Sequence, residues 1–411
     1  MAQGLFNLPQ KVSFCKECVM SNQKPYSMSE FKHTFKRRGA KYMKIDDDGV
    51  CSACKVNKLN NSIDWVKREK ELCKLLDKFR KNNGEFDCLV PGSGGKDSAM
   101  VSHVLKYKYG MNPLTCTWQP VMYTDYGYDN YKRWLDVGGF ENIIIKPNGY
   151  VMKYLTQQAI LNLLHPFQTF ILGQKNIAPK IALKFNINLI FYGESDSLYG
   201  SGNPKDFFKP TMSENFFTTS SFKNLRLSGL KVKDILKDKK IKISDLKVFF
   251  PLSKNQIKNK KIEFHYFGYY QKWIPQEIYY YAFNNTGFKP RPFRSQGTFQ
   301  KYSSIDDKID DLHFYTQFIK FGFGRATVDC CQEIRNKYLT KSEAMRLVKK
   351  YDGEFPHLYF NEIMDYLNID KKSFFKKCDE SRPPHLWKKT KNNWILKNTV
   401  YREEKKFPVI D

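Results

Sequence analysis

The sequence predicts an α/β protein whose central sheet is parallel and is covered by helices on both faces. Short apolar runs alternate with stretches of helical spacing from about residue 61 to about residue 205. Parallel strands need crossover connections, and a helix after each strand supplies them on the faces of the sheet. Beyond this part the alternation fades and helical patterns dominate, so we expect a mostly helical C-terminal region.

Each predicted element follows from a local pattern. Residues 63–84 have apolar residues at helical spacing and end at a glycine, which predicts a helix. Short apolar runs bounded by turn residues predict four strands. The predicted strands are FDCLVP (86–91), PLTCTW (113–118), ENIIIKP (141–147) and INLIFYGE (187–194). The predicted helices are Asp97–Tyr109, YDNYKRWLDVGG (128–139), two stretches between Tyr150 and Asn186, and KSEAMRLVKKYDGE (341–354).

The chain is strongly basic, with 69 lysine and arginine residues against 42 aspartate and glutamate residues among 411, a formal charge of +27. Such a charge is typical either of a solvated lysine surface or of a face that binds a polyanion. Residues 223–263 concentrate the excess, with 13 basic and 4 acidic residues. No apolar run is long enough to span a bilayer, and the N-terminus lacks signal-peptide features, so we expect a cytoplasmic protein without a membrane partner.

Four of the ten cysteines occur as two pairs with the spacing C-x-x-C. The segment CKEC contains Cys15 and Cys18, and CSAC contains Cys51 and Cys54. Two such knuckles can present four thiolates to one metal ion, which predicts a structural zinc ribbon. A redox pair and an iron–sulfur cluster are the alternatives. We expect the other six cysteines to be small buried hydrophobic residues; they are Cys73, Cys88, Cys116, Cys330, Cys331 and Cys378.

The segment LVPGSGGKDSAMVSHVL (89–105) joins a predicted strand to a predicted helix through a glycine-rich loop. Backbone N–H groups in such a loop, at a helix N-terminus, converge on a point that binds anions. Gly94 and Gly95 lack a Cβ and therefore let a phosphate approach the backbone. The spacing is neither that of the Walker loop nor G-x-G-x-x-G. The segment SGGKDS resembles instead the PP-loop, the pyrophosphate-binding loop of enzymes that split ATP into AMP and pyrophosphate.

Several further segments are similar to those of the N-acetyl sugar amidotransferases. These segments are the paired cysteine knuckles, TDYGYDN (124–130), YGE (192–194), KWIPQEIYYYAFNNTGF (272–288) and FIKFGFGRATVDCCQEIR (318–335). The resemblance covers about residues 12 to 370 and implies a fold of the PP-loop, or adenine nucleotide α-hydrolase-like, type. It also implies an ATP-dependent enzyme that converts an acetamido group of a nucleotide-activated sugar or nonulosonic acid precursor into an acetamidino group for bacterial surface glycans, such as lipopolysaccharide.

Within this resemblance the chain is expected to form three domains. Residues 1–60 would be the zinc ribbon, and residues 61–205 the PP-loop domain that binds ATP. Residues 206–411 would comprise a basic insertion and a mainly helical domain for the substrate or a partner. One departure from the family pattern occurs after Glu194, where SDSLYGSGN replaces an acidic, glycine-rich continuation.

An amide oxygen becomes a leaving group when it is adenylated, which explains why replacement of that oxygen by ammonia requires ATP. Lys96 would offset the charge that grows on the departing pyrophosphate, with backbone N–H groups of Gly94 and Gly95 and the hydroxyls of Ser93 and Ser98 holding its oxygens. Magnesium prefers oxygen ligands. We expect its ligands to be Asp97 and Glu194, with Asp196 less favoured; the alternative role for Asp97 is to stabilise the helix N-terminus.

The chain lacks a recognisable glutaminase nucleophile. The resemblance therefore implies separate glutaminase and ammonia-channel subunits, similar to those of imidazole glycerol phosphate synthase. A PP-loop enzyme that thiolates or amidates transfer RNA is the competing hypothesis, with Cys330 and Cys331 as candidate reactive thiols or as packed helix residues. A zinc-ribbon binding protein with an inactive loop is a third. Arg325 and the basic residues of FKPRPFRSQGTF (288–299) are candidate substrate contacts or exposed surface residues.

Overall fold

The computed structural model describes residues 5–27, 41–193, 195–213, 216–218, 225–391 and 393–401. Its centre is a five-stranded parallel sheet of β1 (Cys88–Pro91), β2 (Pro113–Trp118), β3 (Asn142–Ile145), β4 (Leu189–Tyr192) and β7 (Glu263–Tyr266). The order of these strands in the sheet is β3-β2-β1-β4-β7. Two small antiparallel hairpins complete the strands: β5 (Arg226–Leu227) with β6 (Leu230–Lys231), and β8 (Trp387–Lys389) with β9 (Trp394–Leu396).

The helices fall into an N-terminal set, which surrounds the sheet, and a C-terminal set. The first set is α1 (Ser52–Asn60), α2 (Trp65–Phe79), α3 (Lys96–His103), α4 (Asp125–Gly138), α5 (Gly149–Leu163) and α6 (Gln168–Lys184). Three short helices follow: α7 (Val232–Ile235), α8 (Ile243–Leu246) and α9 (Lys254–Asn259). The second set is α10 (Phe267–Tyr270), α11 (Pro275–Asn285), α12 (Asp310–Phe321), α13 (Arg325–Arg335), α14 (Lys341–Tyr351), α15 (His357–Leu367) and α16 (Lys371–Glu380).

Both faces of the sheet are packed, because alternate residues of its strands point to opposite sides. Leu89 and Ile190 contribute to a core that includes apolar residues of α5 and α6. Val90 and Phe191 contribute to the opposite core, which includes residues of α2, α3 and α10. The α/β class, the parallel sheet covered on both faces and the helical C-terminal region are therefore confirmed.

The direction of chain winding changes at β1. This strand pairs with β2 on one side and with β4 on the other. In open parallel sheets, ligands bind at the carboxyl ends of the strands where the strand order reverses. The glycine-rich loop leaves β1 at this position, which places it at the expected binding edge of the sheet.

The four predicted strands are present, but β7 is a fifth strand that the sequence analysis did not predict. It pairs in register with β4, from Leu189 opposite Glu263 to Tyr192 opposite Tyr266. Only four residues long, it follows a run of lysines and carries polar Glu263 and His265, so it has no clear apolar pattern. The sheet therefore includes a strand beyond residue 205, where we expected the α/β domain to end.

The helix expected over Asp97–Tyr109 is present, as α3 followed by a π-helical turn at Val104–Lys108. Among the described residues, no helix combines the length and the apolar character needed to cross a bilayer.

Candidate active site

The glycine-rich loop forms one wall of a cavity of about 360 Å³. Ser93, Gly94, Gly95, Lys96 and Asp97 line this wall. The opposite walls come from distant parts of the chain. They include residues near the cysteine knuckles, the segment after β4, and the segment from Tyr302 to α13. The loop is thus one wall of a cleft that several distant segments complete.

The two central glycines of the loop have different structural requirements. Gly94 has φ +85°, and a Cβ added there would lie 2.6 Å from the Cα of Tyr131 in α4. Gly95 has φ −66°, and its added Cβ would meet nothing closer than the Ser93 hydroxyl at 3.8 Å. Glycine is therefore required at residue 94 by the backbone conformation and by the contact with α4. At Gly95, by contrast, the adjacent space is open to a ligand.

Lys96 and Asp97 begin α3 and form an ion pair with each other. The Lys96 ammonium lies 2.6 Å and 2.7 Å from the two carboxylate oxygens of Asp97. Lys96 is buried and Asp97 is half-buried. Both side chains belong to the cavity wall, so a buried cation and a carboxylate lie beside the backbone of the loop.

The two loop serines differ in position. Ser93 lines the cavity, and its hydroxyl lies near enough to the Asp306 carboxylate to lower the pKa of that carboxyl. Ser98 is not part of the wall, and its hydroxyl donates to the carbonyl of Gly95 at 3.1 Å. The structure therefore brings Ser93 to the cavity but uses Ser98 within the first turn of α3.

The acidic residues after β4 were expected to contribute a metal ligand. Glu194 lies outside the described residues. Asp196 lines the cavity, and burial raises the pKa of its carboxyl to about 6, partly opposed by nearby Lys24. The Ser27 hydroxyl donates to Asp196 at 3.4 Å. Asp196 therefore brings a carboxylate from the segment after β4 to the cavity that the loop lines.

The C-terminal region supplies the wall opposite the loop. Tyr302 and Asp306 line the cavity from the segment before α12, and Arg325 lines it from the first position of α13. The Arg325 guanidinium pairs with buried Asp329 at 2.9 Å and donates to the Ser304 hydroxyl at 3.3 Å. Arg325, a predicted substrate contact, therefore lies at the cavity in a fixed orientation.

The arginines of the segment 288–299 have a different environment. Arg291 is fully buried, with its guanidinium 3.5 Å from the Asp311 carboxylate. Arg294 makes a two-pronged ion pair with Glu354 at 2.6 Å and 2.8 Å. Neither arginine lines the cavity, so the prediction that they contact substrate is not supported; they hold the segment in place.

A second cavity of about 310 Å³ lies beside the first, and Ser27 and Asp196 line both. Its walls include Trp118 and Tyr192 at the carboxyl ends of β2 and β4. The Trp118 indole N–H and the Tyr192 hydroxyl are buried without a hydrogen-bond partner. This cavity is lined by aromatic, aliphatic and polar residues, and these two buried polar atoms are available for a ligand.

The four cysteines of the knuckles converge on one point. Their sulfur atoms all lie within 4.8 Å of one another, with Cys15 and Cys54 at 4.0 Å and Cys18 and Cys51 at 3.7 Å. A tetrahedral zinc site with Zn–S bonds of about 2.3 Å needs sulfurs roughly 3.8 Å apart. The buried cluster is therefore compatible with a four-thiolate metal site.

The other cysteines include one exception to the prediction. Five are buried, but Cys73 is exposed on α2, so the prediction of burial is wrong there. Cys330 and Cys331 are buried in α13, on the side that packs against the knuckles. Among the described residues, the wall of the first cavity contains no cysteine.

Several cavity residues were not anticipated from the sequence. Lys24 and Ser27 follow the first knuckle, and Tyr302, Asp306 and Gln317 lie more than 200 residues after the loop. No local motif singles out these residues. The one sequence feature that could have indicated this site is the acidic segment SSIDDKIDD (303–311), whose last six residues include four aspartates.

Comparisons with known proteins each match only part of the chain. Residues 296–401 match the family described as "LPS biosynthesis protein WbpG-like, C-terminal domain". Over 82 residues the chain is 32% identical to "Uncharacterized protein MJ1599" of Methanocaldococcus jannaschii, covering 20% of this chain and 28% of that protein. The chain thus spans less than a third of that relative.

A solved structure of the NH3-dependent NAD synthetase from Campylobacter jejuni, in complex with nitrate, aligns with a TM-score of 0.26 and 16% identity. The alignment covers 48% of this chain and 95% of that chain. A similarity this low adds nothing to the description of the fold.

Proposed function

We propose that this protein is an ATP-dependent amidotransferase that acts on an acetamido sugar. It adenylates the acetamido oxygen of a nucleotide-activated sugar or nonulosonic acid precursor, and ammonia then replaces that oxygen to give an acetamidino group. The observation that carries the proposal is the loop SGGKDS at the reversal of strand order, which faces a cavity closed by the C-terminal region.

The two cavities suggest how the substrates are arranged. Phosphates would lie on the loop, beside the backbone N–H groups at the start of α3 and the Lys96 ammonium, which is paired with Asp97. The adenosine would extend into the second cavity, whose walls include Pro91 and Gly92 immediately before the loop and the aromatic rings of Trp118 and Tyr192. The acceptor would occupy the remaining part of the first cavity, against Tyr302 and Arg325.

The family match supports the choice of acceptor. The matched residues 296–401 include the part of the C-terminal region that lines the first cavity opposite the loop. That family is described by a role in lipopolysaccharide biosynthesis. A sugar acceptor of surface glycan synthesis is therefore consistent with the segment that would contact it.

The chemistry follows from the residues of the loop. The acetamido oxygen attacks the α-phosphorus of ATP, and the bond to the bridging oxygen of pyrophosphate breaks. Lys96 and the backbone N–H groups of Gly94 and Gly95 stabilise the charge on the departing pyrophosphate. Ammonia then adds to the carbon of the O-adenylated imidate, one proton is released, and AMP leaves with the original amide oxygen.

Two metal ions fit the donor sets. Magnesium prefers carboxylate oxygens, and Asp97 and Asp196 are the described carboxylates that would hold it near the loop; when bound, it would neutralise phosphate charge. Zinc fits the thiol cluster of Cys15, Cys18, Cys51 and Cys54, where it would have a structural role.

The ammonia would come from a separate glutaminase through a channel-forming subunit, resembling the arrangement in imidazole glycerol phosphate synthase. The reaction would take place in the cytoplasm, where ATP and nucleotide-activated sugars are available. With free ammonium the chain should act alone. With glutamine it should act only when both partner subunits are added.

Two observations weigh against a transfer-RNA enzyme that uses a thiol. Cys330 and Cys331 are buried against the knuckles rather than in the described cavity wall. The described lysines between residues 225 and 263 are exposed, and none lines the cavity, as in an ordinary solvated surface.

The direct test is mass spectrometry of a UDP-linked diacetamidohexose after incubation with the protein, ATP, magnesium and ammonium. We expect the mass decrease that accompanies replacement of oxygen by NH, together with AMP. Transfer RNA should have no effect. Turnover that requires transfer RNA and falls steeply with added salt would support the competing function, because phosphate contacts release counterions.

A further inference from the structure

A short strap of the C-terminal region, residues 305–308, is fixed against the carboxyl end of the sheet. Tyr123 and Asp307 form an antiparallel bridge. The Thr124 N–H donates to the Asp306 carbonyl at 3.1 Å, and the Lys308 N–H donates to the Met122 carbonyl at 2.8 Å. The strap is therefore held on both sides of Asp306 by backbone hydrogen bonds.

Gly127 explains how the strap comes so close to α4. A Cβ added at Gly127 would lie 2.3 Å from the Cα of Asp306 and 2.7 Å from its Cβ. The first turn of α4 is itself fixed, because the Thr124 hydroxyl accepts from the Gly127 N–H at 2.9 Å. The glycine of the segment TDYGYDN thus allows Asp306 to reach the loop.

Asp306 is distinguished from its acidic neighbours by where its carboxylate points. It lines the first cavity together with Ser93 at the start of the loop, whose hydroxyl lowers the pKa of the Asp306 carboxyl. Asp307 instead accepts from the backbone N–H groups of Val121 at 2.6 Å and Ile309 at 3.0 Å. Asp310 accepts from the Asp307 N–H at 3.2 Å. Asp306 is thus the member of this group that faces the cavity.

The buried environment of Asp306 favours proton uptake. Burial is the main cause that raises the pKa of its carboxyl, while the Ser93 hydroxyl and the Arg291 guanidinium oppose the shift. Asp307, Asp310 and Tyr123 are the other titratable groups that interact with it. A carboxylate with this environment can accept a proton at a higher pH than an exposed one.

We propose that Asp306 is a catalytic base for the second half-reaction, an inference that rests on the proposed function. Ammonia forms its new C–N bond at the imidate carbon, and the attacking nitrogen then carries an extra proton. The Asp306 carboxylate removes that proton. The C–O bond then breaks, and AMP departs with the oxygen and both bonding electrons. A protonated amidine, which keeps the original acetamido N–H, and the carboxylic acid of Asp306 remain.

The test separates the two half-reactions in the purified full-length protein. Exchange of labelled pyrophosphate into ATP reports adenylation of a UDP-linked diacetamidohexose in the absence of ammonia. Acetamidino product formed with ammonium reports both steps. In Asp306→Asn we expect exchange to persist while product formation falls roughly 100-fold or more, the usual effect of losing a general base.

A pH series adds a readout that a structural role would not change. The ratio of wild-type to Asp306→Asn product formation should fall towards one in acid, where the wild-type carboxyl is itself protonated. Asp306→Glu should recover part of the product formation. The control Asp125→Asn, at an exposed position in the first turn of α4, should leave both activities unchanged.

Two outcomes would overturn the inference. Loss of exchange and product formation to the same extent in a folded Asp306→Asn protein would assign Asp306 to phosphate or metal binding. Unchanged product formation would exclude a catalytic role. If the wild-type protein shows neither activity, the proposed function fails, and the inference fails with it.

Discussion

The Lys24 ammonium donates a hydrogen bond of 2.6 Å to the carbonyl of Tyr199, which joins the cysteine-knuckle region to the segment after β4. Nearby, the Ser27 N–H donates to the Ser201 carbonyl at 2.8 Å. Lys24, Ser27 and Tyr199 all line the first cavity. The region held by the four cysteines therefore contributes to the wall of the first cavity.

This contact predicts that metal loss affects catalysis. Cys54→Ser should lower the metal content from about one zinc per chain and reduce the stability of the protein, since a structural site contributes folding energy. ATP turnover should fall as well, because the wall with Lys24 is no longer held. Metal analysis, thermal unfolding and AMP formation measure the three effects.

The matched control for this variant is Cys73→Ser, at the exposed cysteine of α2. It should keep the metal, the stability and the turnover. Iron and acid-labile sulfide in the wild-type protein would contradict a zinc site and favour an iron–sulfur cluster.

Alanine substitutions at the two central glycines of the loop should separate an effect on phosphate binding from an effect on folding. Gly95→Ala should keep wild-type stability, because its Cβ has free space, but should lose AMP formation, because the methyl group occupies the position of a phosphate. Gly94→Ala should be destabilised by at least about 1–2 kcal/mol, since its φ is +85° and its Cβ would contact α4.

Denaturant unfolding and AMP formation distinguish the two variants. A Gly95→Ala protein with normal turnover would show that phosphates do not approach the loop at this residue. A Gly94→Ala protein as stable as wild type would contradict the geometry of the loop.

Arg325 should contribute to binding of the acceptor rather than of ATP. Arg325→Gln removes a cation at the cavity, so we expect kcat/KM for the sugar to fall roughly tenfold to a hundredfold, as for loss of a charged hydrogen bond. The affinity for ATP, measured by equilibrium binding, should change little.

Arg346→Ala, at an exposed arginine of α14, is the control and should behave as wild type. Because Arg325 also pairs with Asp329, thermal unfolding of Arg325→Gln must be measured alongside the kinetics. Equal losses in sugar and ATP affinity would contradict a specific role at the acceptor.

Because of Glu333, the free energy of unfolding should depend on pH. Burial, with a smaller contribution from the charge of Asp329, raises the pKa of its carboxyl from 4.5 to about 7. The folded state then retains a proton that the unfolded state releases, so this residue lowers stability as pH rises between these values. The change is at most about 1.4 kcal/mol per pH unit.

Glu333→Gln removes the titrating carboxyl and with it this pH dependence of stability. The free energy of unfolding of the variant, relative to wild type, should therefore increase from about pH 4.5 to about pH 7 and be level outside that range. Urea unfolding at several pH values measures the difference. Glu380→Gln, at an exposed position of α16, should show no such change, and a pH-independent difference for Glu333→Gln would contradict the assignment.

Features with a local cause could be predicted from the sequence. Strands β1 to β4 have apolar runs with turn residues at their ends, and the loop at Ser93–Asp97 is defined by adjacent residues. The convergence of four cysteines follows from two short motifs. In each case, neighbouring residues are sufficient to specify the structure.

Features that depend on tertiary contact could not be predicted in this way. Strand β7 is specified by its position beside β4 rather than by its own pattern. Asp306 and Lys24 reach the cavity through contacts with distant segments, at Thr124 and Tyr199. Cys73 is exposed because of the face of α2 on which it lies, which the cysteine count does not reveal.

Isotope tracing of the acetamido oxygen tests most directly whether the protein adenylates the amide. A UDP-linked diacetamidohexose, enriched with a heavy oxygen isotope in its acetamido groups, would be incubated with the protein, ATP, magnesium and ammonium. Adenylation of the amide oxygen predicts that AMP carries the isotope, detectable by mass spectrometry or phosphorus NMR, and that pyrophosphate does not. Isotope in inorganic phosphate together with ADP, or AMP without isotope, would contradict the account.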